Sequence, residues 1–416
     1  MSKYIKDLIQ QAEKSKVLLQ SLSSKEKNIA LRKMADAIID KQNFILAKNK
    51  LDLKQAKKKK IAQSFIDRLT LNKKRLKEMS LSLRAVAKLP DPVGKIISTS
   101  IRPNKMKIQK VRAPLGVVLI IYEARPNVTS DCIGLLFKTS NIGILRGGSS
   151  AMETNIAIGD VLAKPLVKAG INFLPFFIIK NPDYNITDEL FQQDKTIDLV
   201  IPRGGESLIR KVTENSRIPV IKHYKGVCHI YVDKEADLSK ALDICVNAKV
   251  QRPSVCNAVE TILVDKKRAV DFLPKLGERL EKENVEIRTD SQGLKILKNA
   301  KRAQESDWKA EYLDLILSVK AVDNLDEAIS HINKYGSGHT DCIVTKNKNR
   351  AEKFLKEVDS ACCFHNLSTR FSDGYQFGLG AEIGISTDKL HARGPMGLEE
   401  LTTYKWIGKG NGQVRE

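Results

Sequence analysis

Between residues 114 and 248 the sequence alternates short apolar runs with stretches of helical periodicity, and this alternation limits the possible folds more than any other feature. Strands that are apolar throughout are typical of parallel sheets buried on both faces. The alternation therefore predicts a doubly wound parallel sheet of the α/β class. The predicted strands are residues 116–122, 142–145, 173–179, 197–201 and 229–232. The predicted helices are residues 129–140, 151–169, 187–193, 206–215 and 238–248.

The regions on either side of this alternation have different patterns. The first ~90 residues have helical periodicity throughout, and Ser23 followed by Glu26 predicts a capping box at a helix start. The helix after that box has an apolar face of Ala30, Leu31, Met34, Ala35 and Ile38. A second, smaller α/β unit is predicted from its strands at 261–264, 315–322 and 342–345 and its helices at 270–282 and 325–335. Two basic segments, 105–114 and 401–410, are expected to be strands.

Composition limits the classes of function. The chain has 416 residues and a net charge of +22, which favours anionic ligands. The lysine cluster at 54–60 lacks a neighbouring zinc finger, RGG tract or aromatic platform, so we do not expect nucleic-acid binding. No apolar run reaches the ~18 residues of a membrane span. The N-terminus has no apolar signal core, so we expect a soluble, cytoplasmic protein. The seven cysteines are scattered without a CxxC pair, so we expect reduced thiols and no metal site.

Two similar turns follow predicted strands, ILRGGSS at 144–150 and IPRGGES at 201–207. Each places glycines at the carboxyl end of a strand and before a helix, where backbone N–H groups can approach an anion. Ligands of open parallel sheets bind at this edge, so the turns are candidates for a dinucleotide site. Ordinary strand-to-helix turns explain them equally well, and no GxGxxG fingerprint occurs. The candidate residues are Arg146, Gly147, Gly148, Arg203, Gly204 and Gly205.

Three further segments carry reactive or polar side chains without a decisive local pattern. YEARPNVT places Arg125 and Asn127 after the first buried strand, where the residues alone favour a Pro-containing turn with Asn127 as a helix cap over a functional role. QRPSVCNAVETILVD holds Cys256 before an apolar strand, where a cysteine is either core filler or a nucleophile. His391 lies in a glycine-rich segment and is more often structural than catalytic in such a context.

Taken in order, several segments resemble the gamma-glutamyl phosphate reductase family of the aldehyde dehydrogenase superfamily. They are YEARPNVT, FKTSNIGILRGG, IPRGGESL, GVCHIYVD, QRPSVCNAVET, STRFSDGYQFGLGAEIGIS and LHARGPMGLEELTTYKWIGKG. The resemblance spans about residues 8–410, and QRPSVCN together with HARGPMGLEELTTYKW is highly specific. It implies NADPH-dependent reduction of L-glutamate 5-phosphate to the 5-semialdehyde and phosphate, the second step of proline synthesis from glutamate. The product should then cyclise unaided to pyrroline-5-carboxylate.

The resemblance also implies a domain plan. It assigns an NADP-binding domain to residues 1–250, with 374–395 returning to it, and a catalytic domain to 251–373. Residues 100–113 and 398–416 would form the strands of an extension that joins subunits, so we expect a homo-oligomer. Glutamate 5-phosphate is labile because its own amine can attack the acyl carbon, so we also expect a separate glutamate 5-kinase to supply it, with direct contact as a hypothesis.

Residue roles follow from the same resemblance. Cys256 would be the nucleophile that forms a thioester, and its backbone N–H and the Asn127 side chain would stabilise the negative oxygen. Glu311 resembles the residue that holds the nicotinamide ribose, and Arg146 resembles a basic residue near the adenosine ribose. The substrate's phosphate and α-carboxylate need cationic or polar partners, which remain individually unassigned. The candidates are Arg125, Arg252, Ser254, Arg370 and Arg393.

Three alternatives remain open. The first is an aldehyde dehydrogenase that hydrolyses its thioester, but such enzymes carry a water-activating Glu in a Glu-Leu-Gly-Gly stretch, and YKGVCHIYVD lacks one. The second is a hydrolase that pairs Cys256 with His223 or His229. The third is a basic binding protein without catalytic activity.

Overall fold

The computed structural model describes residues 1–59, 61, 63–123, 125–222 and 224–415. It forms two compact units. The first consists of Met1–Lys222, Gly378–Gly384 and Met396–Glu416, and the second of His223–Phe377 and Ile385–Pro395. No helix in the described part of the chain combines the length and the apolar character needed to cross a bilayer.

The first unit begins with helices and continues as alternating strands and helices. The helices are α1 Lys3–Gln20, α2 Ser24–Asp40, α3 Gln42–Lys58, α4 Gln63–Leu69, α5 Lys73–Lys88, α6 Pro126–Lys138, α7 Met152–Lys168, α8 Tyr184–Leu190 and α9 Glu206–Asn215. The strands are β1 Ile96–Ile101, β2 Lys107–Pro114, β3 Val117–Tyr122, β4 Ile142–Gly147, β5 Phe176–Ile178 and β6 Leu199–Arg203. The capping box at Ser23 and Glu26 is confirmed, and the predicted apolar face of α2 is fully buried.

Strands β3 to β6 form a four-stranded parallel sheet in the order β5-β4-β3-β6. All six residues of β3 and all six of β4 are buried, as expected for strands covered on both faces. The prediction of a parallel α/β sheet from continuous apolar runs is confirmed.

The two basic segments form part of a separate antiparallel sheet. Strand β2 pairs along its whole length with the C-terminal strand β16, Thr402–Lys409. Strand β1, which the sequence did not predict, pairs with the other edge of β2. Every residue of β1 is exposed, so it lacks the apolar periodicity by which a strand is recognised.

The second unit is built around a seven-stranded parallel sheet in the order β10-β9-β11-β8-β7-β12-β13. Its strands are β7 Cys228–Val232, β8 Val259–Asp265, β9 Glu286–Thr289, β10 Lys301–Arg302, β11 Ile316–Val322, β12 Thr340–Val344 and β13 Cys362–His365. Its helices are α10 Leu238–Val250, α11 Lys266–Lys282, α12 Gly293–Ile296, α13 Leu325–Tyr335 and α14 Lys348–Glu357. A two-stranded sheet joins β14, Gly384–Ser386, to β15, Gly394–Met396.

The compact units divide the chain at a different place from the predicted domain plan. The chain passes between the units at residues 222–223 instead of 250–251, because β7 hydrogen-bonds to β8 and β12 of the larger sheet. Only 378–384 of the stretch 374–395 return to the first unit. Strand–helix alternation runs unbroken through this part of the sequence, and periodicity does not indicate which sheet a strand joins. The functional assignment of the predicted domains stays a prediction.

Candidate active site

Three predicted turns meet at the carboxyl edge of the four-stranded sheet. Tyr122, the last residue of β3, lies in register with Gly147 of β4 on one side and with Arg203 of β6 on the other. The turn after β3 therefore begins beside both Arg-Gly-Gly turns. More than 20 residues lie between one turn and the next in the sequence. The parallel register of the strands brings the three turns together.

Arg146 is buried, and its side chain serves the turn that carries it. Its guanidinium donates to the carbonyls of Gly147 and Pro182 and lies 5.7 Å from the centre of the Tyr184 ring. Burial lowers the pKa of Arg146. A Cβ on Gly147 would lie 2.1 Å from the Asn155 amide nitrogen, so this glycine allows the strand to pack closely on α7.

The second Arg-Gly-Gly turn is more open. Gly205 donates its backbone N–H to Glu123 Oε1 at 3.1 Å, and Gly204 packs against the same side chain. Arg203 is half-buried beside Gly384, and within the described chain its guanidinium makes no hydrogen bond. Gly148 precedes the short 3-10 turn Ser149–Ala151 that leads into α7.

Asn127 and Arg125 lie at the start of α6, directly after the β3 turn. Arg125 occupies the N-cap position, and both side chains are exposed. Asn127 Nδ2 donates to Asp131 Oδ2 at 3.2 Å, and Ser82 donates to the other oxygen of the same carboxylate. An amide nitrogen carries two hydrogens, so this bond orients Asn127 and leaves one hydrogen for a ligand.

This edge fits an anionic dinucleotide. It combines the start of two helices, two glycine-rich turns and the Arg203 guanidinium. The orphaned Nε of the buried Arg146 adds a further donor. The Gly205 N–H is already bound by Glu123, so the fit depends on the turns as a whole and on Arg203 more than on that amide.

Cys256 lies in the loop before β8 of the second unit and is half-buried. Gly226 packs directly against its backbone, because a Cβ there would lie 2.0 Å from the Cys256 carbonyl oxygen. Cys228 Sγ donates to the same carbonyl at 3.2 Å. Burial raises the pKa of Cys228, so that sulfur stays a thiol and a donor.

Glu311 reaches this loop from the segment before β11. Its Oε1 accepts the backbone N–H of Gly226 at 2.8 Å, which connects it to the backbone behind Cys256. Next to it, Glu260 binds Lys249 at 2.6 Å, and both side chains are fully buried. Burial raises the pKa of Glu260 and lowers that of Lys249, while the ion pair opposes both shifts. Glu260 also accepts the backbone N–H of Leu313, so the pair anchors the segment that carries Glu311.

A short turn, Thr369–Phe371, is bonded to the Cys256 loop. Thr369 Oγ1 donates to the Asn257 carbonyl at 2.7 Å, and Asn257 Nδ2 donates to the Ser372 carbonyl at 2.7 Å. Arg370 Nε donates to Gln251 Oε1 at 2.8 Å. The turn therefore contacts both ends of the loop and places Arg370 near the nucleophile candidate.

The other substrate candidates differ in their surroundings. Arg252 and Ser254 are exposed in the Cys256 loop itself. Arg393 donates to the Asp359 carboxylate at 2.8 Å and to its carbonyl at 3.1 Å. The second unit thus brings Cys256, Glu311, Arg252, Ser254 and Arg370 into one loop system, while Arg393 is held by an ion pair.

The comparisons with known proteins give a consistent family. The profile described as the aldehyde dehydrogenase family matches residues 2–306 and 294–407. A gamma-glutamyl phosphate reductase from Thermodesulfovibrio yellowstonii is 52% identical over 406 residues, which cover 98% of this chain and 97% of that protein. The chain belongs to the gamma-glutamyl phosphate reductase family. The crystal structure of gamma-glutamyl phosphate reductase from Thermotoga maritima is 43% identical, covers 98% of this chain and 99% of its own, and superposes with a TM-score of 0.96.

The fold extends to more distant aldehyde dehydrogenases. A glyceraldehyde-3-phosphate dehydrogenase from Methanocaldococcus jannaschii, solved as a complex with NADP, superposes with a TM-score of 0.67 at 18% identity. The match covers 98% of this chain and 94% of that protein. The aldehyde dehydrogenase family uses nicotinamide cofactors. The gamma-glutamyl phosphate reductases, to whose family the chain belongs, are oxidoreductases of proline biosynthesis.

The alternative pairing of Cys256 with a histidine gains no support from the second unit. His229 is fully buried, and its Nδ1 lies 2.9 Å from Asp341. No histidine nitrogen in the described chain hydrogen-bonds to Cys256. His223 lies outside the described residues. Membership of the gamma-glutamyl phosphate reductase family favours the reductase over this hydrolase.

Sequence reasoning missed several residues that shape the loop of this gamma-glutamyl phosphate reductase family member. They are Gly226, Cys228, Lys249, Gln251, Asn257, Glu260, Thr369 and Ser372. Asn257 and Gln251 belong to the motif QRPSVCN, so their place in the motif is the one feature of the sequence that could have identified them. The others contact the loop through sheet pairing and turns that no local pattern reveals.

Proposed function

We propose that the protein reduces L-glutamate 5-phosphate to L-glutamate 5-semialdehyde and phosphate with NADPH, through a thioester on Cys256. The supporting observation is the half-buried thiol of Cys256 in a loop braced by Gly226, Glu311 and the Thr369–Phe371 turn. A braced loop suits a nucleophile, because small displacements of an attacking atom lower rates steeply.

Cys256 is the only protein side chain that forms a covalent bond in this reaction. The Cys256 thiolate attacks the acyl carbon, the carbon–oxygen bond to phosphate breaks, and phosphate leaves with that electron pair and takes a proton from water. NADPH, when bound, supplies the hydride that reduces the thioester. The carbon–sulfur bond then breaks, which releases the aldehyde and returns the thiolate. The aldehyde cyclises to pyrroline-5-carboxylate without further help.

Negative charge on the acyl oxygen needs preorganised donors. We assign this role to the Cys256 backbone N–H and to the hydrogen of Asn127 that Asp131 does not accept. Removal of one such donor costs about 3–4 kcal/mol of the barrier. Thr129, two residues further along α6, is fully buried and bonded to Tyr122, so the helix start that carries Asn127 is anchored.

The cofactor would lie along the carboxyl edge of the four-stranded sheet. We assign the phosphates to the two glycine-rich turns and the nicotinamide ribose to Glu311, which also accepts the Gly226 N–H behind Cys256. The proposed cofactor residues are Gly147, Gly148, Arg203, Gly204, Gly205 and Glu311, together with Arg146, which would act by bracing the first turn through the Gly147 and Pro182 carbonyls. The remaining candidates, Arg125, Arg252, Ser254, Arg370 and Arg393, would serve the substrate's charged groups.

The reverse reaction tests this function. Pyrroline-5-carboxylate, NADP⁺ and phosphate are supplied to the wild type, and NADPH formation is followed by absorbance. We expect a phosphate-dependent signal that falls at least ~10³-fold in Cys256→Ala, as for other lost nucleophiles. Cys363→Ala is the matched control, because that thiol is also half-buried in the second unit but lies on β13.

Other outcomes would favour other functions. NADPH formation that does not depend on phosphate would indicate an aldehyde dehydrogenase that hydrolyses its thioester. Full activity in Cys256→Ala would exclude the thioester route. Salt-sensitive nucleic-acid binding in place of catalysis would indicate a basic binding protein.

Two partnerships belong to the same proposal. The antiparallel sheet of β1, β2 and β16 presents Ile101, Tyr404 and Trp406 to solvent, which suits strand pairing between copies of the chain. A glutamate 5-kinase would supply the labile acyl phosphate, with direct contact between the enzymes. Light scattering of the purified protein tests the first, and identical kinetics with and without kinase at matched free substrate would count against the second.

A further inference from the structure

The arginines around Cys256 differ in how they are neutralised. Arg393 is bound to Asp359, which also binds Lys389, so its charge is matched inside the protein. Arg252 makes no hydrogen bond to any described residue, and Arg370 uses only its Nε, toward the neutral amide of Gln251. Two guanidinium groups at the nucleophile loop therefore keep their terminal donors available.

Hydrogen bonds and sequence adjacency place these two arginines at the Cys256 loop. Gln251 and Arg252 are adjacent, and the Gln251 side chain binds Arg370. Asn257, adjacent to Cys256, donates to the Ser372 carbonyl and accepts from Thr369 through its own carbonyl. Residues 251–257, which contain Cys256, are thus hydrogen-bonded at both ends to the Thr369–Phe371 turn and to Ser372 directly after it.

Charge and burial agree with this placement. Burial lowers the pKa of Arg370, and the like charge of Arg252 lowers it further, while Asp373 and the thiol of Cys256 oppose the shift. Asp373 Oδ1 already accepts the backbone N–H groups of Tyr375 and Gln376. An anionic ligand bound between the Arg252 and Arg370 guanidinium groups would reduce the electrostatic repulsion between them.

We propose that Arg252 and Arg370 form the subsite for the departing phosphate, and that Arg393 does not. This rests on the proposed function, in which phosphate leaves from the carbon that Cys256 attacks. The phosphate is joined to that carbon through one bridging oxygen, so arginines close to the nucleophile are placed to bind it. Guanidinium groups bind phosphate oxygens in pairs, and they stabilise the charge that grows on the leaving oxygen.

The reverse reaction distinguishes phosphate from the α-carboxylate. In Arg252→Gln and Arg370→Gln we expect the KM for phosphate to rise at least tenfold, while the KM for pyrroline-5-carboxylate changes less than twofold. Arg279→Gln, on the surface of α11 and paired with Asp243, is the control and should change neither. The opposite pattern, a raised KM for pyrroline-5-carboxylate alone, would overturn the assignment, as would an effect on phosphate in Arg393→Gln only.

A second measurement reads the subsite without turnover. The rate of Cys256 alkylation by iodoacetamide is measured in the full-length protein, and inorganic phosphate should slow this reaction in a saturable manner for the wild type and for Arg279→Gln. We expect the protection to disappear in Arg370→Gln and to weaken in Arg370→Lys, which keeps the charge but loses paired donors. Persistent protection in both Arg252→Gln and Arg370→Gln would overturn the proposal.

The two experiments separate this proposal from the function on which it rests. A wild type that forms no NADPH but shows arginine-dependent protection would reject the reductase and keep an anion subsite. A wild type with phosphate-dependent activity and unaltered phosphate KM in both variants would keep the reductase and reject the subsite. A purely structural role of Arg370 predicts a lower kcat with both KM values unchanged, which also counts against the subsite.

Discussion

At the carboxyl edge of the four-stranded sheet, Arg146 is 5% exposed and donates to two carbonyls of its own unit. Around Cys256, Arg252 of the loop and the terminal nitrogens of Arg370, on the Thr369–Phe371 turn, donate to no described residue. At the sheet edge, the Arg146 side chain therefore binds backbone carbonyls of its own unit. Around Cys256, cationic donors remain available for a ligand. A basic residue in a motif does not by itself indicate binding, because burial and existing partners decide whether its donors are available.

The largest effect should come from the glycine behind the nucleophile. In Gly226→Ala the new methyl would lie 2.0 Å from the Cys256 carbonyl oxygen, and backbone atoms cannot move aside cheaply. We expect kcat to fall about 100-fold, since a displaced nucleophile loses that order of rate.

The matched variant is Gly205→Ala, where the methyl would meet only Glu123 Oε1, at an ordinary 3.8 Å. Its effect should be confined to a small change in the KM for NADPH. Steady-state kinetics of both variants check the contrast. An unchanged kcat in Gly226→Ala would mean that the shape of the loop is not needed for attack.

The next effect concerns stability at the cofactor edge. Arg146→Met would leave the Gly147 and Pro182 carbonyls without their charged donor, and such bonds contribute about 2 kcal/mol. We expect the free energy of unfolding of this variant to fall by about that amount in urea titrations. A raised KM for NADPH without any loss of stability would show instead that Arg146 contacts the cofactor.

The sequence was sufficient for most of the fold and for part of the site. Apolar runs such as β3 and β8 are local signals, so both parallel sheets were foreseen, as was the capping box of α2. Short or exposed strands such as β1 and β10 carry no such pattern. Cys256 was found through a motif, whereas its contacts were not.

Those contacts depend on tertiary pairing. Thr369 and Asn257 are 112 residues apart in sequence, and their bond arises because the Thr369–Phe371 turn follows β13 at the end of the larger sheet. Neither residue type is unusual in a turn. The packing of Gly226 on Cys256 likewise becomes visible only when β7 pairs with β8.

The stability of the two units should also differ in acid, because the five histidines among the described residues all belong to the second unit. Burial lowers the pKa of His331 to about 3, and His229, Lys320 and Lys334 add to the shift. Below the ordinary value of about 6.5, the unfolded chain binds a proton that the folded one excludes. This contribution to stability is complete above about pH 6.5 and is lost as the pH falls toward the folded value.

Between pH 6.5 and 5 the loss should amount to about 2 kcal/mol. Hydrogen exchange at the two pH values should show faster opening in residues 224–377 than in 1–222. His331→Phe should remove most of the difference, because phenylalanine keeps a ring next to Trp308 and Tyr335 and does not titrate. His365→Gln is the control for a histidine at the sheet edge. Equal acceleration in both units would contradict the assignment to His331.

The smallest effect should come from the other arginine of the cofactor edge. Arg203 is half-buried and makes no hydrogen bond within the described chain, so Arg203→Gln removes a charge without leaving a carbonyl unbonded. We expect the KM for NADPH to rise about tenfold, which corresponds to about 1.4 kcal/mol, with the urea midpoint unchanged. This is the reverse of the result expected for Arg146, and the two variants together test whether available donors, more than position in a motif, determine binding. If Arg203→Gln instead lowers stability and leaves the KM for NADPH unchanged, both arginines of this edge are structural, and recognition of the cofactor must depend on the backbone of the turns.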